Sequence, residues 1–175
     1  MIKTTTTVAI VSDTHGYLDP RIADIIKQSD IAIHAGDIGD ASILEAMQPK
    51  TGQIFAVTGN NDHHVFWPSS QSDTLKTIPL IAKLDLPGGR ITIEHGDRHD
   101  MFKPDHQSLR NAFPDSRLVI YGHTHKMVID NQTRPWVANP GAAGSTRTHG
   151  GPSCLLLTAS ESEWEIESIR FDSLT

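Results

Sequence analysis

Short apolar runs alternate with polar loops through the first half of the chain. Val8-Ala9-Ile10-Val11, Ile31-Ala32-Ile33 and Ile54-Phe55-Ala56-Val57 are too short for helices and rich in β-branched residues. Such runs predict buried strands. Between them the period changes. Asp19 and Pro20 suit an N-cap and a first turn, and Ile22, Ile25 and Ile26 then share one helical face. Ile43, Leu44 and Met47 repeat that spacing, and Pro49 stops the segment. Strand, loop and helix in this rhythm predict parallel βαβ units.

The second half reads differently. Leu80-Ile81-Ala82 and Ile91-Thr92-Ile93 flank the turn signal Pro87-Gly88-Gly89, which predicts a hairpin. A helix is expected from about Pro104 to Phe113, with Leu109, Ala112 and Phe113 facing inward. Leu118-Val119-Ile120-Tyr121 is another strand. After it the chain predicts strands only: Met127 to Ile129, Trp136 to Ala138, Leu155 to Leu157 and Trp164 to Phe171. The last of these breaks alternation between Ile166 and Ile169, which suggests a bulge or a misplaced strand boundary. Trp67 to Thr77, with Pro68 and several serines, reads as an exposed loop. An α/β half followed by a β half suggests two packed sheets with helices outside, in one domain spanning residues 1–175.

Composition narrows the chemistry. The net charge is -6 with no run of Lys or Arg, which argues against a general nucleic-acid binder. A small nucleotide stays open. No stretch has the apolar length of a membrane span. The lone Cys154 lies in an apolar run and reads as a core residue, so a cytoplasmic setting is expected. Ten histidines are many for this length and fit a metal site.

Five polar motifs each follow an apolar run: Asp13-Thr14-His15, Gly36-Asp37, Gly59-Asn60-Asn61-Asp62, Glu94-His95-Gly96-Asp97 and Gly122-His123-Thr124-His125. A carboxylate and an imidazole at i and i+2 can grip one ion. A carboxylate such as Asp37 offers two oxygens and can bridge two ions, although it could equally cap the helix near Ala41. Asn60 offers a neutral oxygen, and the paired His123 and His125 can serve two neighbouring ions. Each motif alone has an ordinary explanation as turn or cap. Five of them at strand ends do not, and strand ends are where open α/β sheets form ligand sites.

The order of these motifs resembles the calcineurin-like metallophosphoesterase superfamily over about Val8 to Gly144. Length, Ile33-His34-Ala35-Gly36-Asp37 and Asn139-Pro140-Gly141 look most like its small YfcE-like phosphodiesterases. The resemblance implies a four-layer α/β/β/α sandwich of two mixed β-sheets flanked by helices. It implies two divalent transition-metal ions: Mn²⁺ first, with Fe, Zn²⁺ or Ni²⁺ as alternatives. Asp13, His15 and His125 would hold one ion, Asn60, His95 and His123 the other, and Asp37 both. A hydroxide bridging the ions would attack phosphorus. The expected substrate is a small phosphodiester.

One position departs from the pattern. Many members carry a histidine after the motif asparagine that is thought to protonate the leaving group, and Asn61 stands there. An amide is no acid, so good leaving groups and diesters are favoured over monoesters. Asn60, Asn61 and Asp62 are the candidate catalytic set, with Asp62 expected to support the ligands. His34 is expected to support them too. His63 or His64 could replace the acid but read first as exposed loop residues. Arg147 reads as a solvated loop arginine within reach of phosphate, and His99, His106 and His149 as solvent-facing, although His99, close behind His95, could line the cleft. Two alternatives stand beside the phosphodiesterase. One is a phosphomonoesterase on the same site. The other is a protein-binding scaffold, because the retromer scaffold subunit resembles this family with a degraded site. Here all seven ligand positions are intact.

Overall fold

The computed structural model describes residues 4–174. Strands β1 (Thr6–Val11), β2 (Ile31–His34) and β3 (Gln53–Ala56) run parallel. Next to β1 lies antiparallel β9 (Ser153–Ala159), and next to that antiparallel β10 (Trp164–Arg170). The first sheet therefore has the order β10-β9-β1-β2-β3. In the second sheet β5 (Gly89–Glu94), β6 (Leu118–Ile120) and β8 (Trp136–Asn139) are parallel. Antiparallel β4 (Ile81–Leu86) and β7 (Val128–Asp130) form its edges, giving β4-β5-β6-β8-β7.

Three apolar layers hold the sheets and helices together. Val8, Ile10, Ile33 and Leu157 face Ile91, Ile93 and Ile120 between the sheets. Each fully buried Ile there contributes roughly 1.5–3 kcal/mol. Helices α1 (Pro20–Gln28) and α2 (Ala41–Ala46) cover the outer face of the first sheet through Ile22, Ile26 and Ile43. Helix α4 (His106–Ala112) covers the second sheet through Leu109. The expected α/β/β/α sandwich of two mixed sheets is the observed one. Among the described residues no helix is long and apolar enough to cross a membrane.

The helix starts follow from their caps. Asp19 accepts from Arg21 N with Pro20 in the first turn, and Asp105 accepts from Gln107 N and Ser108 N. The cap of α2 is Asp40, not Asp37. That disposes of the ordinary explanation for Asp37.

Three expectations are corrected. Trp67 to Thr77 is no exposed loop: it holds a 3₁₀ turn at Ser69–Gln71 and helix α3 (Ser72–Thr77), and Trp67 is buried. Its polar composition hid one apolar face, on which Leu75 and Ile78 pack beside Trp67. Strand β10 carries no bulge, since its pairing with β9 runs unbroken from Trp164 to Arg170. Ile166 packs between the sheets and Ile169 against the helix layer, so the broken alternation reflects a strand with both faces covered. Ala112, the last residue of α4, is exposed and not inward.

Candidate functional site

Sheet register brings the strand ends to one level. Val11 pairs with His34 and His34 with Ala56. In the other sheet Ile93 pairs with Ile120, and Ile120 with Ala138. All five motifs leave from these ends. Their backbones are then forced into an uncommon shape: Asp13, His15, Asp37, His123 and His125 have φ of 53°, 47°, 55°, 67° and 59°. Left-handed backbone costs non-glycine residues about 1–3 kcal/mol each and collects at functional sites. Hydrogen bonds between the loops sustain it. Asp13 N and His15 N donate to Gly36 O and Asp37 O, each at 3.0 Å, and Gly16 N to Ile38 O at 2.8 Å. Gly122 is obligatory for a different reason. A Cβ there would collide with Ser12 Oγ and come within 2.8 Å of Asp13 Oδ2.

The side chains of six motif residues converge. His125 Nε2 lies 3.4 Å from Asp13 Oδ1 and 3.1 Å from His15 Nε2. His95 Nε2 lies 3.4 Å from Asp37 Oδ2 and 4.0 Å from Asp13 Oδ1. His15 Nε2 lies 3.7 Å from Asp37 Oδ2. Asn60 Oδ1 stands 3.1 Å from His95 Nε2 and 2.9 Å from His123 Nδ1, which adds the seventh residue. Two triads have ligand atoms within 4.8 Å of one another: Asp13 with His15 and His125, and Asp13 with Asp37 and His95. Asp13 thus belongs to both, where the resemblance made Asp37 alone the shared group.

This set fits divalent cations. Both carboxylate oxygens of Asp13 are buried and neither has a hydrogen-bond partner. A buried unpaired carboxylate is costly unless something positive meets it. The donors are mixed imidazole and carboxylate, which suits borderline transition metals. The histidines are also set by the backbone behind them. His95 Nδ1 and His125 Nδ1 each lie 2.8 Å from a carbonyl, of Ala35 and Thr146, and His123 Nε2 lies 2.6 Å from that of Met101. A carbonyl only accepts, so those nitrogens carry the hydrogen, and the other nitrogen of each ring faces the cluster, able to bind an ion once it is deprotonated.

Electrostatics agree with a cation site. Burial pushes the Asp13 carboxyl up to about 7. Burial also acts to raise Asp37, but His95 and the Asn61 donors outweigh it and hold the carboxyl well below its ordinary range. For His95 burial opposes the charge, yet Asp37 and Asp13 raise it to about 9. Burial lowers His15, and brings His125 down to about 4.

Residues around the cluster serve as its frame. Asp62 accepts from Ile38 N, Gly39 N, Gly59 N and Trp67 Nε1, so it ties two site loops together and does not line the cavity beside the cluster. Asn61 gives its backbone N and its Nδ2 to the two oxygens of Asp37, at 2.8 and 2.7 Å. His34 is fully buried. Its Nδ1 accepts from Gly36 N, so its Nε2 donates to Thr14 Oγ1, which donates to Ile38 O. Asn139 Nδ2 donates to Gly122 O and Thr124 Oγ1 while its Oδ1 accepts from Gly141 N, which explains the Asn-Pro-Gly segment as a clamp on the Gly-His-x-His loop.

From the cluster a cavity of about 1120 Å³ opens to the surface. Asp37, Asn60 and His123 lie on its wall, whereas Asp13, His15, His95 and His125 do not. Arg147, expected in solvent, reaches the cluster, with Nη2 3.2 Å from His125 Nε2. His63 and His64 are exposed and absent from the cavity. His149 is exposed at its rim. His99 and His106 are not solvent-facing as expected. His99 pairs with Glu94 and Ser108. His106 links Asp130 to the Tyr121 hydroxyl. Their partners lie far along the chain or a helical turn away, which spacing did not show. The arm from Met101 to Pro104 and Lys126 also line the wall, a placement that spacing along the chain does not show, although Lys126 directly follows the last motif.

Comparison with known proteins agrees with this geometry. Residues 7–162 match the model of the calcineurin-like phosphoesterase superfamily domain. A probable metallophosphoesterase of Methanocaldococcus jannaschii is 28% identical over 144 residues, covering 77% of this chain and 67% of that protein. A phosphodiesterase of the same organism is 25% identical over 166 residues, covering 90% and 95%. Among solved structures, vacuolar protein sorting 29 of Cryptosporidium parvum has a TM-score of 0.74 at 16% identity over 97% of this chain and 99% of that one, a likeness of fold.

Proposed function

Because the chain belongs to the calcineurin-like phosphoesterase superfamily, we propose that it is a metal-dependent phosphodiesterase acting on small phosphodiesters at a site for two divalent ions. The observation that carries this reading is the buried, unpartnered carboxylate of Asp13 between His125 and His95. Asp13, His15 and His125 would hold one ion and Asn60, His95 and His123 the other, with Asp37 common to both. Mn²⁺ is the first choice and Fe, Zn²⁺ or Ni²⁺ the next. The ions would supply an activated water near neutral pH and neutralise charge on the phosphoryl oxygens.

The chain's own residues do the rest. Asn60 is exposed at the cavity and its amide nitrogen has no partner among the described residues, so it can donate to a phosphoryl oxygen. Arg147 offers a fixed positive charge beside it. Asn61 spends its two donors on Asp37 and has no proton to give. His63 and His64 lie outside the cavity, so neither takes over from position 61. A substrate whose leaving group departs unaided suits this site, hence a diester and not a monoester. The test is metal analysis of the purified protein with a phosphoester panel. We expect bound transition metal and Mn²⁺-stimulated turnover of a bis-aryl phosphate that exceeds turnover of the mono-aryl phosphate. A monoester preference would move the reading to phosphomonoesterase, and absence of both metal and turnover would leave only a scaffold role on this fold.

A further inference from the structure

The cavity is larger than a bare phosphodiester requires and has its own chemistry. The arm from Met101 to Pro104 lines it together with Tyr121, Lys126 and the cluster residues Asp37, Asn60 and His123. Phe102 is 91% exposed, an unusual state for a large apolar side chain. The arm is built and not slack. Asp100 holds φ of 102°, and its carboxylate accepts from Phe102 N at 2.9 Å and Lys103 N at 3.2 Å. The next link joins the arm to the site, since Met101 O receives His123 Nε2.

Charge in the cavity runs against that of the chain. The protein carries -6 overall, yet Lys103 and Lys126 both line this wall and pair with no carboxylate among the described residues. The two acids present are already engaged. Asp37 belongs to the metal cluster, and Asp105 caps α4. An exposed ring beside two unneutralised ammonium groups, next to a phosphoryl site, is the chemistry that receives a base and a further phosphate.

We propose that the substrate is a nucleotide-type phosphodiester carrying a second phosphate. Phe102 stacks the base, and Lys103 and Lys126 hold the additional phosphate, while the scissile group lies at Asn60 and His123. This rests on the phosphodiesterase reading and goes beyond it in naming what the diester carries. Stacking on an aromatic ring changes affinity by about tenfold or more, and an added phosphate on two lysines by a similar factor.

The test is binding of three product-like probes to the Mn²⁺-loaded protein by calorimetry: thymidine bisphosphate with one phosphate on each hydroxyl, thymidine monophosphate and methyl phosphate. We expect the bisphosphate to bind about tenfold tighter than the monophosphate, and that preference to vanish in the Lys103→Ala, Lys126→Ala double variant. Phe102→Ala should weaken both nucleotides about tenfold relative to methyl phosphate. Lys83→Ala, on exposed β4, should alter nothing. Equal binding of all three probes by the unaltered protein, or a bisphosphate preference that survives the double variant, overturns the proposal. Mn²⁺-dependent turnover of a bis-aryl phosphate is measured alongside. If turnover fails, the phosphodiesterase reading falls, and the binding result still decides the groove.

Discussion

The candidate site has a sealed half and an open half. Asp13 and His125 are buried outright, His95 is 2% exposed, and none of the three lines the cavity. Asn60 and His123 stand on the cavity wall, and Asn60 is exposed. The sealed half is tightly packed: Gly36 and Gly122 leave no room for a Cβ against His95 and Ser12, and carbonyls fix His95 and His125 from behind. The open half is held by a single carbonyl from a surface arm, that of Met101 on His123. The difference suggests that one half stores the charge-binding power and the other meets the substrate. Asp37, half belonging to each, is where they join.

That contrast should break most sharply in substitutions of matched chemistry. Asp13→Asn removes the charge from a buried carboxylate that accepts no hydrogen bond and lies 3.4 Å from His125 and 4.0 Å from His95, and we expect loss of bound metal with activity down by at least about a thousandfold. Metal content by elemental analysis beside turnover checks it. Asp13→Asn protein with full metal content would mean that the sealed half is not the stronger holder.

Acidity should empty the sealed half first. Asp13 is pushed up to about 7 by burial, and His95 to about 9 by its carboxylate neighbours against burial. Ions require both deprotonated, so metal affinity falls as pH drops through 9 and then 7, by about tenfold per proton per unit. The metal-free protein shows the opposite trend in stability. A carboxyl raised from 3.8 to about 7 costs stability as pH rises across that window, and a histidine raised from 6.5 to about 9 loses its contribution across the next. Below about pH 6.5 the buried His34 and His125, both lowered to about 4, oppose the Asp13 trend, so melting of metal-free protein should decline from about pH 6.5 to 9, while excess Mn²⁺ flattens or reverses the slope. Parallel slopes with and without metal would contradict both shifts.

On the open side, His123→Ala should cost less, about 10–100-fold in turnover, with most of the metal on the sealed half retained. Substrate affinity and metal content measured together separate this from a folding defect.

How much of this was legible depended on locality. The strand ends and the ligand-type residues beyond them could be read because a short apolar run followed by Asp, Asn or His is a local pattern. The cap of α1 at Asp19 was readable for the same reason, and so was the layering of helices outside sheets. What was hidden is what depends on distant partners. The Ala35, Thr146 and Met101 carbonyls that orient His95, His125 and His123 leave no trace in side-chain identity. Helix α3 was missed because serines dominate its segment while only Leu75 and Ile78 meet the core. His106 looked solvent-facing because its partners Tyr121 and Asp130 lie 15 and 24 residues away.

The finest prediction concerns Asn61, which touches both halves through Asp37. Asn61→His places an acid at a position beside Asp37 that now holds an amide, but it removes the Nδ2 donor to Asp37. The first change helps poor leaving groups most, since general acid catalysis lowers the barrier only where the departing oxygen needs a proton. The second weakens the hold on Asp37 for every substrate, by roughly 1.5–3 kcal/mol for a hydrogen bond to a charged group. Turnover of a bis-aryl phosphate should therefore fall, while the ratio of monoester to diester turnover rises about tenfold. The backbone N of Asn61, which also donates to Asp37, is kept in the variant and limits the damage. A ratio that stays constant while both rates fall would show that position 61 acts only through Asp37, and that the diester preference has its source elsewhere in the open half.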